Sequence, residues 1–193
     1  MNEGADVNYI YHNEESVLQA ASETGNINLV KYLLDKGAQI DYQNSEGKSS
    51  LYIASLNGHV DVVKVLLENK AQVDLLNNDR VSSLMAASWN DHIDVVKILL
   101  ESKSLVDLQN NDGWSSLMFA SQNGHVDVVK MLLENKAQVD LQNYDRCSAL
   151  MVASLGHVDV VKILLENKAQ VNLQNNDGWS SLMAASQNGR MLT

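Results

Sequence analysis

A repeat of 33 residues is the feature of this sequence that most constrains its fold. The stretch NNDGWSSLMFASQNG at 110–124 returns at 175–189 with one change, Phe119 against Ala184. A leucine marks one position in every copy, at intervals of 33 residues and once of 32: Leu18, Leu51, Leu84, Leu117, Leu150 and Leu182. Because an active site needs unlike residues that converge once, this repetition favours a stack of repeated units over an enzyme.

Each unit contains two helical patterns. The first, SSLMAAS from Ser82, opens with hydroxyl residues that favour a helix N-terminus. The second, HVDVVKVLLENK from His59, places apolar residues at helical spacing, with Asp61 in its first turn. One such pair cannot bury its apolar faces alone, so we expect neighbouring pairs to stack into one elongated domain. Its units are a remnant at 1–10, repeats at 11–43, 44–76, 77–109, 110–142 and 143–174, and a partial repeat at 175–193.

The repeat resembles a known family. DGWSSLMFASQNGHVDVVKMLLENKAQVDLQN at 112–143 is similar to the ankyrin repeat, whose pattern is roughly DGxTPLHxAAxxGHxxVVxxLLxxGAxVNxxN, and the resemblance covers nearly the whole chain. It implies an all-α solenoid of helix-turn-helix pairs with short β-hairpin fingers. It also implies a non-enzymatic scaffold that binds a protein or peptide on its concave face and finger tips.

Departures from the family pattern predict a smaller stability margin. The family's Thr-Pro-Leu-His becomes Ser-Ser-Leu-Met in three units, and the chain has no proline. The glycine after the second helix survives as Gly37 but is replaced by lysine in four later units. If those lysines adopt the left-handed conformation, each costs up to ~1 kcal/mol relative to glycine. Arg80 and Arg146 likewise replace a turn glycine.

Charge and composition bound the partners and the compartment. The net charge of −10 disfavours nucleic acid, and no apolar run approaches the ~20 residues of a membrane helix. One cysteine, Cys147, allows no internal disulfide, and the N-terminus shows no signal peptide pattern. We therefore expect a reducing compartment, cytoplasmic or nuclear.

The sequence predicts no catalytic residue, no cofactor and no metal. One histidine per unit, as at His59, is expected to be structural, because consecutive copies should lie about 10 Å apart, too far to share a zinc ion. The stretch before Gly113 lacks the anchoring carboxylates of a calcium loop. Cys147 has no flanking residues to activate it.

The variable positions of the ankyrin pattern predict the partner surface. All three tryptophans fall there, and exposed aromatic rings are typical interface anchors. Together with acidic finger tips they favour a partner with basic and hydrophobic side chains. The alternative is that tryptophan packs over the next finger and that aspartate only forms turns. The candidate partner-binding residues are Val81, Trp89, Trp114, Tyr144, Trp179, Asp79, Asp112 and Asp145.

Two further functions stay open at this point. Both terminal units lack the polar cap of a solenoid end, so the chain is either a segment of a longer ankyrin protein or associates with another chain through its ends. Some ankyrin repeats are substrates of an asparaginyl hydroxylase, and LLENKAQVN ending at Asn172 resembles that context. Most units carry aspartate there instead: Asp74, Asp107 and Asp140.

Overall fold

Paired short helices form the architecture, in a computed structural model that describes residues 6–11 and 14–187. These residues contain eleven helices and no extended sheet. Odd-numbered helices are the first of each repeat and even-numbered helices the second. The helices are α1 Val17–Glu23, α2 Ile27–Asp35, α3 Ser50–Leu56, α4 Val60–Glu68, α5 Ser83–Trp89, α6 Ile93–Glu101, α7 Ser116–Asn123, α8 Val126–Glu134, α9 Ala149–Ala153, α10 Val158–Glu166 and α11 Ser181–Gln187.

Serine caps begin the first helices, as the sequence predicted. In α5 the hydroxyl of Ser82 accepts a hydrogen bond from the backbone N–H of Met85 at 3.2 Å. Four other serines accept the same bond from the backbone N–H three residues later: Ser16, Ser49, Ser115 and Ser148. Each cap satisfies an N–H that the helix leaves unpaired and stabilises its helix by about 1 kcal/mol.

The helices stack in two rows, first on first and second on second. Helix α5 packs between α3 and α7, and α6 packs between α4 and α8. The repeated leucine is buried in the five complete repeats, and Leu84 is fully enclosed together with Val96 and Leu99. One aliphatic core therefore runs through successive repeats, which confirms the all-α repeat solenoid.

The fingers are turns closed by single backbone bridges, such as Leu76 with Ser82. In the finger of repeat 77–109 the Asn77 side-chain oxygen accepts hydrogen bonds from the N–H groups of Asp79 and Val81, at 3.0 and 2.8 Å. The Asp79 carbonyl accepts the next finger's Asn111 N–H at 2.9 Å. Neighbouring fingers are thus hydrogen-bonded tip to tip.

The lysines and arginines that replace family glycines adopt the left-handed conformation whose cost the sequence analysis considered. Arg80 and Arg146 have φ angles of 60° and 61°. The four lysines after the second helices have φ angles of 68°, 65°, 69° and 67°: Lys70, Lys103, Lys136 and Lys168. The repeated lysines therefore occupy a backbone conformation that favours glycine.

The repeated histidine joins each repeat to the one before it. The Nε2 atom of His92 lies 3.0 Å from the Leu56 carbonyl oxygen. A Cβ atom added at Gly58 would lie only 2.7 Å from the same ring, so glycine leaves room for the ring at this position. This confirms the structural role predicted for the histidines. In repeat 77–109 the glycine is replaced by Asp91, whose carboxylate lies 3.7 Å from Nδ1 of His125.

Candidate interaction surface

A central depression lies on the side of the stack formed by the first helices. It is an open hollow of about 270 Å³ over repeats 44–76, 77–109 and 110–142. Its wall comes from α3, α5 and α7 and from the residue that precedes the α5 cap. The main lining residues are Tyr52, Leu56, Val81, Met85, Trp89 and Phe119. Two of the predicted residues, Val81 and Trp89, therefore share one hollow.

Three aromatic rings form a row beside this hollow. The centroid of the Phe119 ring lies 5.0 Å from that of Trp89, in an edge-to-face arrangement with an interplanar angle of 65°. On its other side Phe119 stacks on Trp114, with centroids 5.3 Å apart and an angle of 22°. Such pairs stabilise ring orientation by about 0.5–1.5 kcal/mol beyond area burial. Phe119 thus holds two of the predicted tryptophans together.

Trp89 is exposed and yet held in place. Its side chain is 47% accessible to solvent. Its carbonyl oxygen lies 2.9 Å from His125 Nε2 and accepts a hydrogen bond from the Asn123 side chain at 3.4 Å. Trp89 is the last residue of α5, so these bonds fix the end of the helix, and the Phe119 contact restricts the ring. An exposed ring with little freedom loses little entropy when it binds a partner.

The floor of the central depression has its own small apolar cluster. Tyr52, Ile53 and Ala86 pack together, and Leu56 and Val81 close the cluster towards solvent. The main core between the two helix rows is a separate cluster. Burial raises the pKa of the Tyr52 hydroxyl. A change at this floor therefore leaves the main core largely intact.

The remaining predicted aromatic residues lie elsewhere on the surface. Tyr144 is a finger tip residue and is 69% exposed. Trp179 lies in a second hollow with Cys147, Met151 and Leu155. Burial raises the pKa of the Cys147 thiol, which a hydrogen bond with Asn175 offsets in part. The structure therefore groups Val81, Trp89 and Trp114, and it does not bring Tyr144 and Trp179 to the same hollow.

The acidic finger tips use their backbones for folding and leave their carboxylates exposed. Asp79, Asp112 and Asp145 each accept a bond from the next finger through the main-chain carbonyl. Within the described part of the chain their carboxylates make no hydrogen bond. The turn role thus occupies only the backbone of these residues, and their charges face solvent.

Charge is unevenly divided between the second-helix segments and the rest of the chain. The segments that contain the second helices carry ten lysines and nine carboxylates, a net charge of +1. Since the whole chain has a net charge of −10, the rest of it carries −11. Those segments are 27–37, 59–70, 92–103, 125–136 and 157–168. The negative charge therefore lies mainly in the loops and fingers, because Glu23 of α1 is the sole charged side chain of the described first helices.

Other polar groups serve the stack itself. The Asp107 carboxylate accepts hydrogen bonds from the backbone and the side chain of Gln138 in the next repeat, at 2.9 and 3.0 Å. Asp140 and Gln170 repeat this pair. Among the described residues no group of three or more His, Cys, Asp or Glu side chains is placed to hold a metal ion. The repeated aspartates thus have a structural explanation.

Phe119 is the functional candidate that the sequence argument missed. Its only signal is the difference from Ala184 in the otherwise identical stretch. The side chain is 8% exposed, and it lies outside the main core although it is large and apolar. Its burial therefore comes from the tryptophans and the hollow, and no periodicity argument identifies such a residue.

Comparisons with known proteins agree with this architecture. A family model described as ankyrin repeats in three copies matches residues 1–78 and 71–143, and a second, described as ankyrin repeats in many copies, matches 132–184. The curated proteins contain no match to this chain. No helix in the described residues is long and apolar enough to cross a membrane. Matches over almost the whole length, on this stack of helix pairs, show that the chain belongs to the ankyrin-repeat family, whose repeats generally mediate protein–protein interaction.

Proposed function

We propose that this protein is a non-enzymatic interaction module, which binds a protein or peptide with basic and hydrophobic side chains on the first-helix and finger side. The observation that carries the proposal is the Trp89 ring, which is exposed to solvent and yet packs edge-to-face with Phe119, on a helix end held by bonds to its carbonyl. Exposed, well-ordered tryptophans are the commonest anchors of protein interfaces.

The predicted residues have two roles in this proposal. Val81, Trp89, Trp114, Tyr144 and Trp179 supply apolar contact. The finger tip carboxylates steer a basic partner towards the face, since rim charges act mainly on the association rate. These carboxylates belong to Asp79, Asp112 and Asp145. We place the interaction in the cytoplasm or nucleus, because a chain with a single cysteine has no internal disulfide to maintain.

Site-specific cross-linking tests the proposal. A photoreactive phenylalanine derivative at Tyr144 should capture a partner from extracts of the source cell. The same group at Lys97, exposed on α6 in the opposite row, should not. Capture at position 144 should fall when Trp89 and Trp114 are both changed to alanine. Equal capture at the two positions, or capture that survives the double substitution, would contradict a binding site on this face.

Self-association is the second candidate function. Leu182 is 67% exposed, whereas Leu117 at the same position of the matching stretch is 2% exposed. Leu165, Val171 and Leu182 line one apolar hollow on the outer side of α10 and α11. A second chain that covers this hollow would bury its apolar side chains, as neighbouring repeats bury the equivalent leucine inside the stack. Light scattering decides: a mass that stays monomeric as concentration rises would remove this candidate.

A further inference from the structure

We infer that the central depression is an anchor subsite, which seats one large apolar side chain of a basic segment of a partner protein. The inference rests on the proposed function and narrows it to one hollow and one kind of occupant. Its basis is the size of the hollow, the rigidity of its wall and the charge around it.

The size of the hollow fits one side chain. Its volume of about 270 Å³ lies just below the ~300–1,000 Å³ of small-molecule sites, and it is open to solvent on one side. A side chain that enters it contacts Leu56, Val81 and the face of Trp89, while its backbone stays outside. An anchoring residue at a protein interface has this geometry.

The wall of the hollow is arranged before any partner arrives. Phe119 packs edge-to-face with Trp89 and stacks on Trp114, so the three rings restrict one another. In the matching stretch 175–189 an alanine replaces Phe119, and the row cannot form there. Phe119 is therefore a positioning residue, which acts on the partner through Trp89.

The charges select the occupant. The main lining residues of the hollow include no charged side chain, so its interior accepts an apolar group. Outside it, the chain apart from the second-helix segments carries the net charge of −11 derived above, most of it in loops and fingers, and Asp79 and Arg80 precede Val81 in the same turn. An apolar residue flanked by lysine or arginine matches both regions.

The neighbouring hollows fit this occupant less well. The hollow nearer the N-terminus is lined by Glu15, Glu23, Glu46 and Lys48, and an apolar side chain would have to desolvate these groups. The hollow that contains Trp179 lacks a ring in the position of Phe119, since Ala184 lines it instead. Only the central depression combines an uncharged wall with an aromatic support.

A defined peptide tests the subsite. The probe is an acetylated heptapeptide amide with leucine at the centre, glycine on each side and two lysines at each end. The chain has three tryptophans, so their indole N–H signals in a nitrogen-15 NMR titration report on the two hollows separately. We expect the peptide to shift the Trp89 signal and to leave the Trp179 signal in place. A glycine-centred peptide should bind at least about tenfold more weakly, because a buried leucine is lost. A glutamate-flanked peptide should give no shift.

Three variants and a control separate the anchor from a general effect. Phe119→Ala should weaken the leucine peptide roughly threefold to tenfold, and Phe119→Tyr should restore binding. Val81→Lys, which copies Lys48 at the equivalent position, should abolish binding without touching the main core. The control is Leu105→Gln: Leu105 is also exposed, lies after α6, and corresponds to Gln72 and Gln138 in other repeats.

The outcomes distinguish this inference from the proposed function. Shifts confined to the finger tips and independent of the central side chain would overturn the anchor subsite and leave the interaction face intact. Binding unchanged in a Phe119→Ala variant that is folded by circular dichroism would also overturn it. No shift at any residue of the face, with any of the peptides, would count against both.

Discussion

Replacing the left-handed lysines with glycine should stabilise the protein. Lys70, Lys103, Lys136 and Lys168 are exposed and have positive φ angles. The first repeat has Gly37 at this place, with φ 86°, and a Cβ atom added there would meet nothing within 4 Å. The cost at these positions is therefore backbone strain rather than crowding, and glycine removes it.

The size of the effect follows from two opposing terms. The left-handed conformation costs a residue with a Cβ atom roughly 1–2 kcal/mol. Glycine loses about 0.5–1 kcal/mol of this gain through the greater freedom of the unfolded chain. The net gain is thus about 0.5–1 kcal/mol per site, or about 2–4 kcal/mol for four sites in separate repeats. At about 2–4 °C per kcal/mol, the fourfold variant should melt roughly 5–15 °C higher.

The assay is urea and thermal unfolding followed by circular dichroism, with a fourfold lysine-to-alanine variant as the matched control. Alanine removes the same four charges but retains a Cβ atom, so it should give none of the gain. A glycine variant no more stable than the alanine variant would refute the predicted backbone strain at these four lysines.

Three further predictions concern single sites. Gly58→Ala should lower the free energy of unfolding by about 2–4 kcal/mol, because its Cβ would meet the His92 ring, whereas Gly37→Ala should cost only about 1 kcal/mol; equal losses in chemical denaturation would contradict the packing argument. Trp89→Ala should leave melting nearly unchanged and weaken partner binding about fivefold or more, and a large stability loss with intact binding would reject a contact role. Burial raises the pKa of the Cys147 thiol, so the folded chain has less thiolate at pH 8 than the unfolded chain. Cys147 should therefore react with iodoacetamide at pH 8 more slowly in the folded protein than in urea. Equal rates would show that the thiol is not shielded.

Proposals about modification at Asn172 can be tested directly. The residue is exposed, whereas Asp107 and Asp140 at the same place of earlier repeats accept hydrogen bonds from the next repeat. Intact-mass measurement after incubation with an asparaginyl hydroxylase should therefore show at most one added oxygen, at Asn172. Absence of any added mass would remove this interpretation.

The sequence by itself determined the repeat architecture and much of its local geometry. Helix caps such as Ser82, the left-handed lysines and the structural role of His92 were all predicted and are confirmed. These features depend on interactions within a few residues, or on contacts that every repeat makes with its neighbour. In a periodic sequence the residues that make these contacts recur in every unit, so the contacts can be predicted from the pattern of one unit.

Only the tertiary structure decided which surface residues lie together. Val81, Trp89, Trp114 and Tyr144 were all predicted as partner-binding residues, and the structure groups the first three around Phe119, which was not predicted. The Trp89–Phe119 contact joins different repeats through residues that occur once each. Its existence depends on the offset between stacked helices and on side-chain rotamers, which neither periodicity nor composition encodes.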